Sequence, residues 1–293
     1  MFIEIIKLLR PKQWLKNTFV FLPMFFDGKM LNIELWKECI VAFFALSFAA
    51  SSIYCFNDIC DIKTDQKHPQ KCKRPLASGA ISVTTGYLMM SLCLVVSFLI
   101  LVGLAGTQKW LDFAIILFYV FMNLFYTVWL KKYPIVDVFI IALGFVLRVV
   151  MGGVSTGIEL SHWIILMTFL LALFLSFAKR RDDVVIFERT NVLTRSGIDR
   201  YNLDFLNQVL TIVATVTIVC YIMYTVSEDV MERLGSNYIY VTVIFVLAGI
   251  LRYMQLTLVY TRSESPTKIL VKDRFIQLCI VAWIITFSLI IYF

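Results

Sequence analysis

Residues 51–79 read SSIYCFNDICDIKTDQKHPQKCKRPLASG, and this stretch decides what kind of fold the chain adopts. It leaves an apolar run and, within two helical turns, becomes a set of acids followed by a set of bases. If the helix continues past the apolar run, Asn57, Asp61 and Asp65 recur every four residues and share one face, with Asp58 beside it, three residues before Asp61. Carboxylates so close repel one another, and the C-terminal end of a helix carries the negative pole of its dipole. A cation is needed to offset that cost. Carboxylate and amide oxygens suit a hard ion such as Mg2+, which keeps several waters and bridges to substrate phosphates. Lys67, Lys71, Lys73 and Arg74 then supply charge for phosphate oxygens, Arg74 with a bidentate fork. His68-Pro69 is expected to end the helix and turn this basic arm back over the acids. The plainer alternative is a solvated charged cap in which lysines pair with aspartates. The helical spacing of the acids, with an Asn opening the set at the membrane edge, favours the metal and diphosphate reading.

Working outward, the apolar run before Asn57 is one of many. The 293 residues are 60% hydrophobic and 16% charged, with a mean hydropathy of +0.83, whereas soluble domains run about 45–50% apolar and about 25% charged. Several runs exceed the roughly 18–20 residues that span a bilayer as helix. The expected fold is all-α: a single polytopic membrane domain over 1–293, with nine spans near 14–30, 38–56, 81–104, 110–129, 135–156, 161–178, 203–226, 237–261 and 270–292. The first span is interrupted by Lys16, Asn17 and Pro23.

The net charge of +7 does not point to a nucleic-acid partner, because the basic residues lie between hydrophobic spans rather than on one soluble face. With the N-terminus in the cytoplasm, 21 Lys and Arg fall on the cytoplasmic side against 4 outside, Arg148 and Arg252 lying within spans. Both long connections, about 57–80 and 179–202, then lie on the cytoplasmic face. The expected location is the cytoplasmic (inner) membrane, with a multi-pass chain and its active site on that face. Seven scattered cysteines give neither a disulfide framework nor a zinc site, and His68 and His162 alone exclude a multi-histidine metal centre. The N-terminal MFIEIIKLLRPKQWLKN lacks a small-residue cleavage site, so no removable signal peptide is expected.

Two further clusters lie on the same side. YTVWLKKYPIVD, 126–137, offers the Tyr126 hydroxyl, the cations Lys131 and Lys132, and Asp137 just inside the next span. An aromatic belt with positive-inside lysines would read alike, but an acid inside a span usually faces a cavity or a partner. AKRRDDVVIFE, 178–188, sets Lys179, Arg180 and Arg181 at the membrane edge beside Asp182 and Asp183. It is either a self-paired loop or a second half-site for phosphate or metal. Arg148, mid-span in GFVLRVVMGG, costs at least about 2.5–3.5 kcal/mol to insert. It is expected to face a polar interior and pair with an anion, either a ligand or a buried carboxylate such as Asp137. Gly152 and Gly153 permit close approach of another helix or a lipid chain.

NDICDIKTD followed by HPQKCKRPLASG resembles the first aspartate-rich motif of the UbiA superfamily of intramembrane prenyltransferases. YTVWLKKYPIVD resembles the Tyr/Lys motif that follows the family's fourth helix. Within the superfamily, three features are similar to the decaprenyl-phosphate phosphoribosyltransferase branch. They are the opening LRPKQWLKN with Lys16 and Asn17, the continuation His68, Pro69, Lys71, Arg74 and Pro75, and Lys179, Arg180 and Asp183 where other members carry a second DxxxD.

The resemblance implies a UbiA-like helical bundle and a Mg2+-dependent transfer of 5-phosphoribose from phosphoribosyl diphosphate to a polyprenyl phosphate. Asn57, Asp58, Asp61 and Asp65 would hold the metal, with Asp58 and Asp61 catalytic. Lys16, Asn17, Lys71, Arg74, Tyr126, Lys132, Asp137, Arg148, Lys179, Arg180 and Asp183 would line the substrates. Bilayer lipids surround the chain, and an oligomer is left open. The alternative within the fold moves a prenyl group from its diphosphate to an aromatic or polar acceptor; the missing DxxxD speaks against it. A transporter should show internal repeats and broken midplane helices, and neither is evident.

Overall fold

The computed structural model describes residues 2–67, 71–104, 106, 109–190, 197–260, 269 and 272–292. The expected turn at His68-Pro69 and residues 191–196 of the second long connection lie outside them. All regular structure among the described residues is helical: α1 (Phe2–Leu9), a 3₁₀ stretch Pro11–Phe21, α2 (Leu22–Phe26), α3 (Ile33–Cys60), α4 (Ile62–Asp65), α5 (Val83–Leu104), α6 (Lys109–Val128), α7 (Val136–Thr156), α8 (His162–Thr190), α9 (Leu203–Thr225), α10 (Glu228–Leu234), α11 (Val243–Leu258) and α12 (Arg274–Tyr292). Eight helices among the described residues are long and apolar enough to cross a bilayer, which makes this an integral multi-pass membrane protein.

The first expected span, 14–30, is not such a helix. Prolines at 11 and 23 remove two backbone donors, and the segment forms an eleven-residue 3₁₀ stretch and a five-residue helix. That is long for a 3₁₀ conformation, and side chains hold it in place. Trp14 Nε1 donates to Ser51 Oγ at 2.9 Å, Asn17 Nδ2 donates to Ser47 Oγ at 2.9 Å, and Cys39 Sγ lies 3.8 Å from Val20 O. Arm residues 14, 17 and 20 therefore meet α3 residues 51, 47 and 39, an antiparallel ladder. Arg10 opens the arm with a left-handed backbone, φ 52 and ψ 54.

Two compact units divide the chain: Met1–Tyr133 with Leu143–Leu160, and Pro134–Ala142 with Ser161–Phe293. In the first, α3 packs along α5 and also against α6 and the arm. Small buried residues on α3 (Ala42, Ala45, Ala49, Ser52) permit close approach, and Ser97 Oγ of α5 donates to Ala45 O at 2.7 Å. α1 docks through Leu8, buried with Cys55, Leu76 and Ile81. α7 meets the arm at Gly152, where an added Cβ would lie 1.9 Å from Val20 O. Outward-facing Leu88, Leu92, Val95 and Leu99 of α5 recur at helical spacing and suit lipid. In the second unit α8 packs on α9, α9 on α11, and α11 on α12.

Candidate active site

The acid cluster sits where α3 gives way to α4. Asp61 caps the break, yet Asp61 N donates to Asn57 O at 3.0 Å and Asp65 N to Asp61 O at 2.8 Å. The helical register therefore runs through. The sequence spacing suggests a single stripe of Asn57, Asp61 and Asp65; the side chains instead divide into two pairs. Asn57 and Asp61 turn toward the end of α6: Thr127 Oγ1 donates to Asn57 Oδ1, and Lys131 Nζ lies 2.5 Å from Asp61 Oδ1. Asp58 and Asp65, seven residues apart, share Arg74, whose Nη1 lies 3.1 Å from Asp58 Oδ1 and 2.6 Å from Asp65 Oδ2. Asp58 receives a second guanidinium, that of Arg10.

Asp58 and Asp65 are both buried, at 2% and 3% exposure. Three acids and three bases thus neutralise one another at the helix ends, which removes the repulsion the sequence predicts. One atom is left over: Asp58 Oδ2 is buried and accepts no hydrogen bond among the described residues. Lys16, Lys71 and Tyr126 are engaged with neighbouring groups, and Lys132 is exposed.

Arg148 is buried in the first unit. Its Nε donates to Asn17 Oδ1 at 2.8 Å, Nη1 to Gly144 O at 2.5 Å and Nη2 to the Tyr119 hydroxyl at 2.8 Å, and its guanidinium lies 5.2 Å from the Tyr119 and Phe145 rings. The expected anionic partner is not among its described contacts; neutral oxygens and aromatic faces take that place. Ser47 lies eleven residues, roughly 16 Å of helix, before Asp58. Arg148, joined to Ser47 through Asn17, therefore fastens the arm well below the acids.

The second unit carries Asp137, Arg180 and Asp183. Arg180 is the largest fully buried side chain, 1% exposed; its Nε donates to Asp137 Oδ2 at 2.8 Å and its Nη1 to Asp183 Oδ2 at 3.1 Å. Lys179, one residue earlier, is exposed and engaged with neighbouring groups. Tyr201 completes the group: its hydroxyl accepts from Ile135 N–H at 2.6 Å and lies 3.4 Å from Asp137 Oδ1. Ile135 has φ 69, costly for a β-branched residue, and the Tyr201 bond holds it there. Burial raises the Tyr201 phenol above its ordinary range, so the hydroxyl stays protonated.

Arg10, Thr127 and Tyr201 escape the sequence reading. Arg10 belongs to no spaced set, and the other two lie 70 and 64 residues from the side chains they meet.

Membrane-crossing helices with matched acids and bases at their ends define a class: an integral membrane protein with a polar, charge-balanced site where spans emerge. The chain belongs to the UbiA prenyltransferase family, whose model matches residues 29–276. It is 32% identical to the decaprenyl-phosphate phosphoribosyltransferase of Mycolicibacterium smegmatis, over 99% of this chain and 92% of that one. It is 29% identical to the protein of the same name from Corynebacterium glutamicum, over 98% and 86%. A UbiA homologue from Archaeoglobus fulgidus, solved bound to DMAPP and Mg2+, matches with a TM-score of 0.73 at 19% identity, over 98% of this chain and 99% of that one. At that identity the likeness is one of fold.

The Archaeoglobus fulgidus homologue was solved with Mg2+, and the donor set here can be tested against such an ion. Among the described residues no three His, Cys, Asp or Glu side chains converge as a cage. Mg2+ rarely uses such a cage; one or two carboxylates suffice, with water and phosphate oxygens completing its shell. The available donors are all oxygens, and the buried Asp58 Oδ2 has no partner. The residues fit.

Proposed function

We propose that the chain transfers 5-phosphoribose from phosphoribosyl diphosphate to a polyprenyl phosphate, releasing diphosphate. The observation that carries the reading is end-to-end similarity to proteins named decaprenyl-phosphate phosphoribosyltransferase, on a chain with an acid and base cluster at the end of α3. Asn57, Asp58, Asp61 and Asp65 are the metal-side oxygens. Mg2+ bound there would offset charge developing on the leaving diphosphate. Lys16, Lys71, Arg74 and Lys179 are the cations for the diphosphate and the 5-phosphate. Arg180, buried between two carboxylates, sets Asp137 and Asp183 in place.

A phosphate oxygen of the lipid forms the new bond to C1 of the ribose while the C1–O bond to diphosphate breaks and its electron pair leaves with the diphosphate. The lipid phosphate is already anionic, so the chain's work is positioning and electrostatics rather than proton removal. The Lys and Arg distribution supports an N-terminus and a site face in the cytoplasm, in the cytoplasmic membrane.

The test supplies purified protein in detergent with Mg2+, radiolabelled phosphoribosyl diphosphate and a polyprenyl phosphate. Label enters the lipid phase, and is lost with EDTA, in Asp58→Ala and in Asp61→Ala, each still folded. Folded wild-type protein that transfers no label, yet binds a prenyl diphosphate with Mg2+, would overturn the reading in favour of prenyl transfer.

A further inference from the structure

Arg10 stands in the opening LRPKQWLKN but has no assigned role there, yet its guanidinium reaches the most buried acid of the cluster, Asp58, 48 residues along the chain. It also lies 5.3 Å from the Tyr54 ring, one turn earlier on α3. Its backbone is left-handed, a conformation that a residue with a Cβ keeps only where its surroundings dictate it, and such residues gather at ligand clamps. Those surroundings are the arm and its ladder. Ser51 Oγ accepts from Trp14 Nε1 at 2.9 Å and donates to Leu9 O at 2.8 Å, the residue before Arg10, while Asn17 is held by Ser47 and Arg148. Arg10 is aimed by the arm and does not itself hold the arm.

The two guanidiniums on Asp58 are not equivalent. Arg74 has a closer partner in Asp65, at 2.6 Å against 3.1 Å to Asp58. Asp58 is the only acid with which Arg10 pairs among the described residues. If Arg10 moves, Arg74 keeps its anchor.

We propose that Arg10 is a further substrate-binding residue of the transfer reaction: it neutralises Asp58 until the donor arrives, then turns its guanidinium to the donor's diphosphate. This rests on reading the Asp58 cluster as the metal–diphosphate site. A diphosphate offers a guanidinium paired oxygens, so the move exchanges a single contact, Nη2 to Asp58 Oδ1, for a fork. It also keeps every buried charge paired, since a carboxylate abandoned in the interior is strongly unfavourable and Asp58 is released only as a cation reaches it. A divalent cation arriving alone must displace Arg10 and leave it without an anion; with a diphosphate it need not.

The test titrates Mn2+ alone, followed by its EPR signal, and then inorganic diphosphate in the presence of Mn2+ by calorimetry. Wild type, Arg10→Gln, Arg10→Lys and Asp58→Asn are compared in detergent, with thermal unfolding run alongside. Arg10→Gln unfolds like wild type, binds Mn2+ alone about tenfold more tightly, and binds diphosphate about tenfold more weakly, the scale of one charged hydrogen bond. Arg10→Lys keeps weak Mn2+ binding but loses diphosphate affinity, because an ammonium lacks the fork. A fold defect would weaken both titrations together. Equal weakening of both, or no change in either variant, overturns the proposal. Should Asp58→Asn titrate as wild type does, the reading of the cluster itself fails. Should Asp58→Asn lose binding while both Arg10 variants match wild type, the role of Arg10 alone is overturned.

Discussion

Replacing Gly152 by Ala tests how the N-terminal arm is seated. The new Cβ would lie 1.9 Å from Val20 O, 2.8 Å from its carbonyl carbon and 3.1 Å from its Cα. The nearest comfortable C···O approach is about 3.3 Å, so arm and α7 must separate by roughly 1.4 Å. Both obstructing groups are backbone, and no rotamer change relieves them. Arg148 lies one turn from Gly152, and its 2.8 Å bond to Asn17 Oδ1 would stretch to roughly 4 Å, past hydrogen-bonding range.

Overpacking costs about 1–3 kcal/mol and a lost bond to a charged group about 1.5–3 kcal/mol. Against these, Ala gains up to about 1 kcal/mol over Gly within a helix. The balance is a loss of roughly 2–5 kcal/mol, or roughly 4–20 °C in Tm at about 2–4 °C per kcal/mol. Thermal unfolding in detergent measures this, and hydrogen exchange over residues 11–21 should rise in step. Gly249→Ala is the control: its Cβ would meet Cys279 Cβ at 3.8 Å, ordinary contact, so its Tm should hold or rise slightly. A Gly152→Ala protein with the Tm and arm exchange of wild type would refute the close approach of α7 to the arm.

Arg148→Met should lower stability by about 2–4 kcal/mol, read by thermal unfolding, because Asn17 Oδ1 and the Tyr119 hydroxyl lose a charged donor, offset in part by removing a charge that is costly to bury. Tyr201→Phe removes the acceptor that holds Ile135 at φ 69; turnover should fall about tenfold, about one hydrogen bond's worth, while expression and Tm stay near wild type. Asp273 is held below the ordinary carboxylate range by its bonds to Arg252. Its contribution is therefore present above about pH 4 and lost as pH falls through the lowered value. The Tm gap between wild type and Asp273→Asn should be small, as expected for a pair at the surface, constant from neutral pH down to about 5, and closed in stronger acid.

The parts of the fold and site legible in the sequence are those with a period. Apolar length identifies the eight crossing helices; four-residue spacing groups Asn57, Asp61 and Asp65, but the side chains set Asp65 with Asp58 on Arg74. The arm reads as a span because length and apolarity say nothing of what holds a segment together; Trp14 and Asn17 hold it through α3 side chains 37 and 30 residues away. Arg148 advertised itself by depth alone, and depth carries no information on whether a guanidinium will meet a carboxylate or three neutral oxygens. Arg10 gave no signal, being one of many basic residues on the positive-rich side, and only the folded arm brings it to Asp58. Asp137 is one alternative partner for Arg148 in the sequence, whereas its described guanidinium partner is Arg180, a pairing across 43 residues that no local pattern encodes.

The ion pairs also explain how an acid-rich helix end is stable without its ligands. Asp58, Asp61 and Asp65 face Arg10, Lys131 and Arg74, so the cluster is close to neutral before anything binds. The pairs lie where α1, the arm and the end of α6 meet α3. A neutral cluster gives a bare cation little attraction and a bare diphosphate little more. On the proposed reading, a diphosphate arriving with its metal would bring both signs at once: Arg10 would pass to phosphate oxygens as Asp58 passes to the metal, and no charge would be stranded in a partly buried site. On this reasoning selectivity for a metal-bound diphosphate follows from the exchange of partners rather than from a preformed cage. The dispersed placement of the carboxylates, with Asp58 Oδ2 left without a partner, is then what the chemistry requires.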